Sequence, residues 1–278
     1  MSIRAWNVWR DAVVRIINDN GDSGTGVLIT HPVDEVACHS RTFCVSAAHV
    51  ISRPIESLPT TYSFTLHHRC MVGHSLETAS LEVLMHAEDT GNARYRKHPT
   101  CDLLAIEVDT EQIKARQLNS ADGADMLTQA RYDEEQLAPG DDVLVIGYPA
   151  GIFVASSNEP VVSQGRLATP VFAQTSMPTG PNQAHESTTA FLIDASIMQG
   201  SSGSPIILAP RAGRPQMDRI MMPPAPPFLL GIVEAELTRS SLLGSSSTTD
   251  ITGLASAFST VAIKETIDLF DIAFDFVD

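Results

Sequence analysis

A serine, a histidine and an aspartate in this sequence could together carry out acyl transfer. A serine hydroxyl is a weak nucleophile near neutral pH, so it requires a base that takes its proton, a group that orients the base, and N–H donors for the developing oxyanion. Ser202 lies in the run GSSGSP, where glycines allow a tight turn and bring backbone N–H groups close to a reacting carbonyl. This run predicts a nucleophile turn with its own oxyanion donors.

The base and its orienting group have one candidate each. His49 lies in VSAAHV, at the end of an apolar strand, where two small alanines precede it and its imidazole could project into a cleft. Asp102 opens DLLAIEV, before a buried apolar strand, where partial burial suits a carboxylate that holds an imidazole tautomer. Taken singly, the three residues also have structural explanations: a Gly/Ser loop, a satisfied histidine at a strand end, and a turn aspartate.

Short segments rich in Val, Ile, Leu and Thr, with turn residues between them, predict an all-β protein of antiparallel strands. The first set comprises Ala12 to Ile17, Gly24 to Thr30, Thr42 to Ile51, Leu81 to Met85 and Leu103 to Val108. The second set comprises Asp142 to Pro149, Val161 to Ala168, Ala190 to Ala195, Ser204 to Ala209 and Phe228 to Ala235. A polar stretch, Asn119 to Asp142, separates them, so we expect two β-domains at residues 1–125 and 126–278.

The last part of the sequence has a helical pattern. Apolar residues recur there at steps of three and four, as in an amphipathic helix: Ile263, Ile267, Phe270, Phe274 and Val277. Thr260 or Ser259 could cap this helix. A Pro-rich insertion from Ala209 to Phe228 cannot pair as a central strand and is expected to form an exposed loop.

Seven runs follow one another along nearly the whole chain: SGTGVLI, VSAAHV, DLLAIEV, VIGYPAG, SQGRLA, DASIMQGSSGSP and LLGIVEA. In these runs the sequence resembles the chymotrypsin-like (trypsin-like) serine proteases, especially the HtrA/Deg branch, without the PDZ domain that many of its members append. The resemblance implies an all-β fold of two antiparallel six-stranded β-barrels with the active site in the cleft between them. It also implies that His49 is the general base, Asp102 its orienting carboxylate and Ser202 the nucleophile. The N–H groups of Gly200 and Ser202 would form the oxyanion hole.

The resemblance further implies the position of the primary specificity pocket. Its base is the residue six before the nucleophile, Ser196, which is not acidic. With Ile197 beside it and Val233 and Ala235 on the facing strand, we expect a neutral, mostly apolar pocket that favours small or medium aliphatic side chains. Strand alternation turns Glu234 away from that face, whereas a pocket-facing Glu234 would attract Arg or Lys.

The sequence departs from the family pattern beside the nucleophile. Ser204 stands where a second glycine is usual, and Ser201 replaces the aspartate that pairs with a newly cut N-terminus in secreted relatives. We therefore expect control by loop ordering or by a regulatory protein partner rather than by zymogen cleavage. The loops concerned, rich in Pro, Gly and Ser, are Gly151 to Pro160, Val171 to Thr189 and Ala209 to Phe228.

Charge limits the class of partner. The chain has 18 Lys and Arg against 33 Asp and Glu, a net charge of −15 that repels phosphate backbones and anionic lipid. The cluster Arg94, Arg96 and Lys97 lies among acidic residues and reads as a solvated loop. We expect a protein or peptide substrate, with neither nucleic acid nor membrane as a partner. The N-terminus lacks the pattern of a secretory signal, and no run approaches the ~18 apolar residues of a membrane span.

Cysteine usage indicates a reducing compartment. All four cysteines, Cys38, Cys44, Cys70 and Cys101, fall in the first half of the chain. Free buried thiols are favoured over a Cys38 to Cys44 bridge, although the short spacing does not forbid one. A cytoplasmic location is therefore expected.

Three other functional interpretations are weaker. A zinc site at His67, His68, Cys70 and His74 is disfavoured because adjacent histidines in a strand point to opposite faces, so no metal or other cofactor is expected. A cysteine protease on the same fold is disfavoured because no cysteine follows Cys101. The main alternative is a catalytically silent double-barrel module that presents its cleft to a partner protein; fluorophosphonate labelling distinguishes this module from an active enzyme.

Overall fold

Antiparallel β-structure makes up most of the protein, which confirms the mainly β prediction. The computed structural model describes residues 4–34, 39–51, 58–72, 75–87, 90–115, 118–178, 185–188, 190–210, 227–238 and 251–270. In these ranges the strands form an open sheet from the N-terminal half, a closed barrel from the C-terminal half, and a separate two-stranded hairpin.

The open sheet contains eight strands. In chain order they are β1 (Val13–Ile17), β2 (Ser23–Asp34), β3 (His39–Ala47), β4 (Ser63–Val72), β5 (Ser75–Leu84), β6 (Tyr95–Lys97), β7 (Leu103–Val108) and β8 (Ala121–Asp122). The main path runs β5-β4-β1-β2-β3-β7-β6, and β8 pairs in parallel with β2. Strand β7 is apolar on both faces because Leu104 and Ile106 pack inside the curved sheet, while Leu103 and Ala105 face the C-terminal half.

The prediction of two closed barrels is wrong in the N-terminal half, where the sheet does not close. Its two edge strands, β5 and β6, approach each other through one isolated bridge between His86 and Ala93. Beside this bridge, Arg94 N–H donates to the Met85 carbonyl at 2.8 Å. Strand β6 is only three residues long and pairs with β7 on one side, and within the described ranges no ladder joins its other side to β5.

The C-terminal half contains a closed six-stranded barrel, as expected there. Its strands, in the order in which they pair, are β10, β13, β16, β15, β14 and β9. Their bounds are β9 (Asp142–Gly147), β10 (Val161–Leu167), β13 (Ala190–Ala195), β14 (Pro205–Leu208), β15 (Leu229–Thr238) and β16 (Ile251–Ser259). The hairpin β11 (Thr175–Pro178) and β12 (His185–Thr188) lies outside the barrel.

Five short helices accompany the strands in the described ranges. They are α1 (Arg4–Ala12), α2 (Ala48–Ile51), α3 (Thr110–Ala115), α4 (Gln129–Glu134) and α5 (Thr260–Asp268), with 3-10 turns at Gly123–Asp125 and Pro149–Gly151. The predicted C-terminal helix is confirmed as α5, with Ser259 at its N-cap position. Phe274 and Val277 lie outside the described residues. None of these helices combines the length and apolar character needed to cross a membrane.

One hydrophobic cluster joins the two halves of the molecule. It contains Val27 and Phe43 from the open sheet, Ile146 and Ile232 from the barrel, and Ile263 from α5. Helix α1 closes one end of this cluster with the fully buried Trp9, whose indole N–H donates to the Pro227 carbonyl at 2.7 Å. The division into domains at residues 125 and 126 stays a prediction, because this shared core crosses it.

The described cysteines are free and buried, as expected. Cys44, Cys70 and Cys101 each carry a free thiol, and burial raises the pKa of Cys44 to about 12. The alternative bridge from Cys38 to Cys44 is therefore wrong, although Cys38 itself lies outside the described residues.

Candidate active site

His49 and Asp102 form a hydrogen-bonded pair at the end of two adjacent strands. The pairing of β3 with β7 aligns Ala47 with Leu103, so the residues that follow one strand and precede the other meet. Ala48 N–H donates to the Asp102 carbonyl at 2.9 Å, and His49 Nδ1 lies 2.6 Å from Asp102 Oδ2. An ionised carboxylate only accepts, so Nδ1 carries the proton and Nε2 is left as the basic nitrogen.

The location of His49 differs from the expected strand end. The chain turns into the single helical turn α2 directly after β3, and His49 is the second residue of this turn. Ala48, Val50 and Ile51 are buried around it, whereas the His49 side chain keeps 27% of its surface exposed. The apolar residues thus anchor the turn while the imidazole faces outward.

A second histidine shapes the turn that carries Asp102, and the sequence analysis missed it. The Nδ1 atom of His98 accepts the N–H groups of Cys101 at 3.0 Å and Thr100 at 3.2 Å. That nitrogen is therefore unprotonated, and Nε2 donates to Glu265 on α5 at 3.0 Å. The C-terminal helix is thereby connected to the backbone beside Asp102. The only sequence signal for this role of His98 was its position, four residues before Asp102.

The turn before Ser202 leaves the expected oxyanion donors open. Ser201 N–H donates to the Met198 carbonyl at 3.0 Å, and Gly200 between them has a φ of +89°, which favours glycine. The Gln199 carbonyl accepts the Ala150 N–H at 2.5 Å. Because N–H and C=O point in opposite directions across a trans peptide, the Gly200 N–H points away from Ala150. Among the described residues, neither the Gly200 nor the Ser202 N–H donates to a backbone carbonyl.

Ser204, where the family has glycine, fits because another residue is small. It is fully buried, and a Cβ at Gly147 on β9 would overlap its Oγ. Its backbone N–H donates to the Ser201 carbonyl at 2.9 Å and its carbonyl accepts from Val233, so the turn around Ser202 keeps its hydrogen bonds. The substitution is thus accommodated by Gly147.

Thr25 on β2 connects the nucleophile turn to both halves of the molecule, a role that the sequence analysis did not recognise. Its N–H donates to the Ser202 carbonyl at 3.1 Å, and its hydroxyl donates to the Gly200 carbonyl at 3.1 Å. The same hydroxyl accepts the Tyr148 N–H at 3.0 Å, and its carbonyl accepts the Ser46 hydroxyl at 2.7 Å. The residue is fully buried, so these bonds replace water completely.

Strand β2 also brings Ser202 and His49 to the same junction. Thr25 binds the Ser202 carbonyl, and a Cβ at the preceding Gly24 would overlap the side chain of Val50, the neighbour of His49. Ser202 is partly exposed beside this contact. No hydrogen bond joins the Ser202 and His49 side chains within the described ranges, and such bonds often tighten only when substrate is bound.

The residues expected to form the specificity pocket occupy two environments. Ile197 and Val233 are buried in the apolar core of the barrel, whereas Ser196 and Ala235 are exposed. The strand alternation assumed from the sequence is wrong at Glu234, because β15 has a bulge there: Val233 pairs with Ala257, and Ala235 already pairs with Ser256.

The charge of Glu234 interacts with those of the His49–Asp102 pair. Burial raises the pKa of its carboxyl group, and the charge of Asp102 raises it further. A hydrogen bond with Ser256 and the charge of His49 act in the opposite direction on the pKa of Glu234. Two carboxyl groups and one imidazole therefore influence one another electrostatically.

The histidines on β4 show the opposite orientations expected of strand neighbours. His68 is buried, whereas His67 is partly exposed, and His74 lies outside the described residues. In the part of the chain that is described, no group of three or more His, Cys, Asp or Glu side chains is arranged to hold a metal ion.

Comparison with known proteins identifies no relative. No model of a protein family matches the sequence, and a search of curated proteins gave no significant match.

Replacing Thr25 with Val should destabilise the fold because the hydroxyl is lost but the shape is kept. The buried Tyr148 N–H and Gly200 carbonyl would each lose a partner, so we expect a loss of about 2–3 kcal/mol in the free energy of unfolding, measured by urea denaturation. Thr25→Ser is the control: it keeps the hydroxyl and loses one buried methyl group, about 1 kcal/mol. Equal stability of the two variants would contradict the role of these hydrogen bonds.

Proposed function

We propose that the protein is a serine endopeptidase that cleaves protein substrates through an acyl-enzyme intermediate. The observation that carries this proposal is the 2.6 Å contact between His49 Nδ1 and Asp102 Oδ2, at the same junction as a Ser202 turn whose N–H groups are open. Base, orienting carboxylate, nucleophile and oxyanion donors therefore meet between the open sheet and the barrel.

Each group has one task in the reaction. Ser202 Oγ attacks the scissile carbonyl carbon while His49 Nε2 takes the hydroxyl proton, and Asp102 stabilises the resulting imidazolium. The N–H groups of Gly200 and Ser202 bind the oxyanion. His49 then gives its proton to the leaving amine as the C–N bond breaks, which leaves an ester on Ser202. A water molecule, deprotonated by His49, attacks this ester and releases the carboxylic acid and the free serine.

The edge of β15 supports an extended polypeptide as substrate. Strand β14 pairs with β15 only as far as Pro205 opposite Ile232. Val233 then exchanges hydrogen bonds with Gly203 and Ser204 of the nucleophile turn. Beyond it, from Glu234 to Glu236, β15 pairs with β16 on one side and has no strand on the other within the described residues. A substrate can add to this edge as a strand and lead its carbonyl to Ser202.

The proposal includes a chymotrypsin-like active site between two β-units, one a closed barrel and the other an open sheet. The closed barrel supplies Ser202, and the open sheet, whose edges approach each other at His86 and Ala93, supplies His49 and Asp102. The proposal also includes a cytoplasmic location, which the three free buried thiols support, because such thiols persist in reducing compartments.

Ser202→Ala should abolish peptidase activity and labelling by a fluorophosphonate while the fold is retained. Removing one partly exposed hydroxyl changes chemistry more than packing, and loss of a member of such a catalytic unit costs on the order of a million-fold in turnover. His49→Ala should be nearly as severe. Circular dichroism and urea denaturation of Ser202→Ala serve as the folding control.

Labelling of Ser202→Ala as fast as the wild type would refute the assignment of the nucleophile. Absence of labelling in a folded wild-type protein would instead favour the catalytically silent binding module.

Cleavage is expected to follow small or medium aliphatic side chains. The proposed pocket residues Ser196, Ile197, Val233 and Ala235 are neutral, and the charge of Glu234 interacts with those of Asp102 and His49. A peptide-library profile of the wild-type protein measures this preference. Dominance of Arg or Lys before the cut would contradict it.

We also propose that loop ordering or a protein partner controls the site. Ser201 has no charge with which to bind a new N-terminus. The turn at Gln199 is held instead by Ala150, which adjoins the loop Gly151 to Pro160. That loop is anchored at a distance from the site, because Glu159 binds both Arg10 and Arg69 at 3.2 Å. A partner that moves this loop can therefore change the geometry of the oxyanion hole through Ala150.

The isolated chain is expected to react with a small fluorophosphonate but to hydrolyse casein slowly. A partner that binds the ordered state about a hundredfold better shifts the balance by about 2.7 kcal/mol. Rates of casein hydrolysis and of labelling are compared for the wild type and for a variant with a shortened Ala209 to Phe228 loop. Fast casein hydrolysis by the wild type, at a rate that the shortened loop does not change, would count against regulation of the site by loop ordering or by a partner.

A further inference from the structure

A carboxylate that interacts with the catalytic pair has no task in the mechanism above. Glu234 is half-buried on β15, and its charge interacts with those of both Asp102 and His49. Buried carboxylates are costly to ionise, so a carboxylate placed against another one requires an explanation. The closed barrel could accommodate a neutral residue here without that cost.

A bulge in β15 interrupts the regular alternation of side chains at Glu234. One extra residue on β15 stands between the pairs Val233–Ala257 and Ala235–Ser256, and such bulges re-aim side chains next to active sites. Val233 is held on the other side by the nucleophile turn, through Gly203 N–H at 2.8 Å. Strand β15 also packs against β3, whose last residue is followed by α2 and His49.

The groups that act on Glu234 come from three other elements. Ser256 on β16 forms a hydrogen bond with its carboxyl group, Asp102 precedes β7, and His49 is part of α2. Ionised Glu234 is repelled by Asp102 and attracted by protonated His49. In the proposed mechanism His49 gains the proton of Ser202 as the attack proceeds, so the attraction increases as the transition state forms.

We propose that Glu234 is a positioning residue of the catalytic site, whose carboxylate, at the bulge in β15, acts with Asp102 to stabilise the imidazolium of His49 as Ser202 attacks. This inference rests on the proposed peptidase function. In this inference the charge of Glu234 assists catalysis. The cost of burying that charge lowers the free energy of unfolding.

A first experiment tests the buried charge without using activity. In Glu234→Gln the shape and the contact with Ser256 are kept, but the charge is lost. The pKa of Glu234 is raised in the folded state. The wild type therefore loses stability as the pH rises from the unfolded-state pKa of this carboxyl group through its folded-state pKa. The variant has no carboxyl group at this position and does not lose stability in this way. Urea denaturation should therefore show the variant to be more stable than the wild type at pH 8 and equal to it at about pH 4.

Glu134→Gln, a carboxylate on the exposed face of α4, is the matched control and should show no such gain at pH 8. A Glu234→Gln variant that is no more stable than the wild type at pH 8 would overturn the inference.

The second experiment measures the effect on His49 through the rate of fluorophosphonate labelling between pH 5 and pH 9. In this reaction the Ser202 Oγ–P bond forms, fluoride leaves, and the hydroxyl proton passes to His49. Without the second carboxylate, His49 releases its proton more easily and its imidazolium is less stabilised. In Glu234→Gln we expect the acid limb to move down by about one pH unit and the plateau rate to fall about tenfold.

A role limited to packing would lower the plateau without moving the acid limb. An unchanged limb in Glu234→Gln, with the wild type labelled normally, overturns this inference and leaves the proposed function intact. A folded wild type that is not labelled at any pH overturns both.

Discussion

The hydrogen bonds of one buried threonine hold the two halves of the proposed active site in register. His49 and Asp102 belong to the open sheet and Ser202 to the barrel, and the Ser202 carbonyl is bound by the N–H of Thr25. The Thr25 hydroxyl binds the carbonyl of Gly200, which belongs to the peptide unit between the two proposed oxyanion donors. A buried polar network of this kind stabilises a unique arrangement only when every member is satisfied.

The contact between the open sheet and the barrel also depends on glycines, which have no Cβ atom. A Cβ at Gly203 would overlap the Thr25 carbonyl, and its φ of +84° also favours glycine. At Gly24 and Gly147 the absent Cβ leaves room for Val50 and Ser204. These three glycines, from separate strands and turns, leave room for the Thr25 backbone and for the Val50 and Ser204 side chains, so the proposed catalytic groups rest on closely packed elements.

The sequence predicted what local pattern and motif encode. The bounds of β7 and β13 were predicted correctly because their apolar runs end at charged or turn residues. The motifs also singled out His49 and Asp102, whose Nδ1 and Oδ2 atoms lie 2.6 Å apart, whereas the role of Ser202 stays a prediction. Strand β16 was missed because ITGLASAFS is rich in small and polar residues. The bulge at Glu234 and the role of Thr25 arise from pairings between distant segments, and the open edge of the first sheet depends on how far two edge strands extend. These features have no local sequence signal.

The central claim is that Ser202 becomes acylated with the help of His49. The most direct test is mass spectrometry of protein quenched in acid shortly after mixing with p-nitrophenyl acetate, followed by peptide mapping. The account predicts one acetyl group on the peptide that contains Ser202 in the wild type, and none there in His49→Ala at the same time point. An acetyl group confined to another residue, or equal acetylation of Ser202 in both proteins, would contradict it.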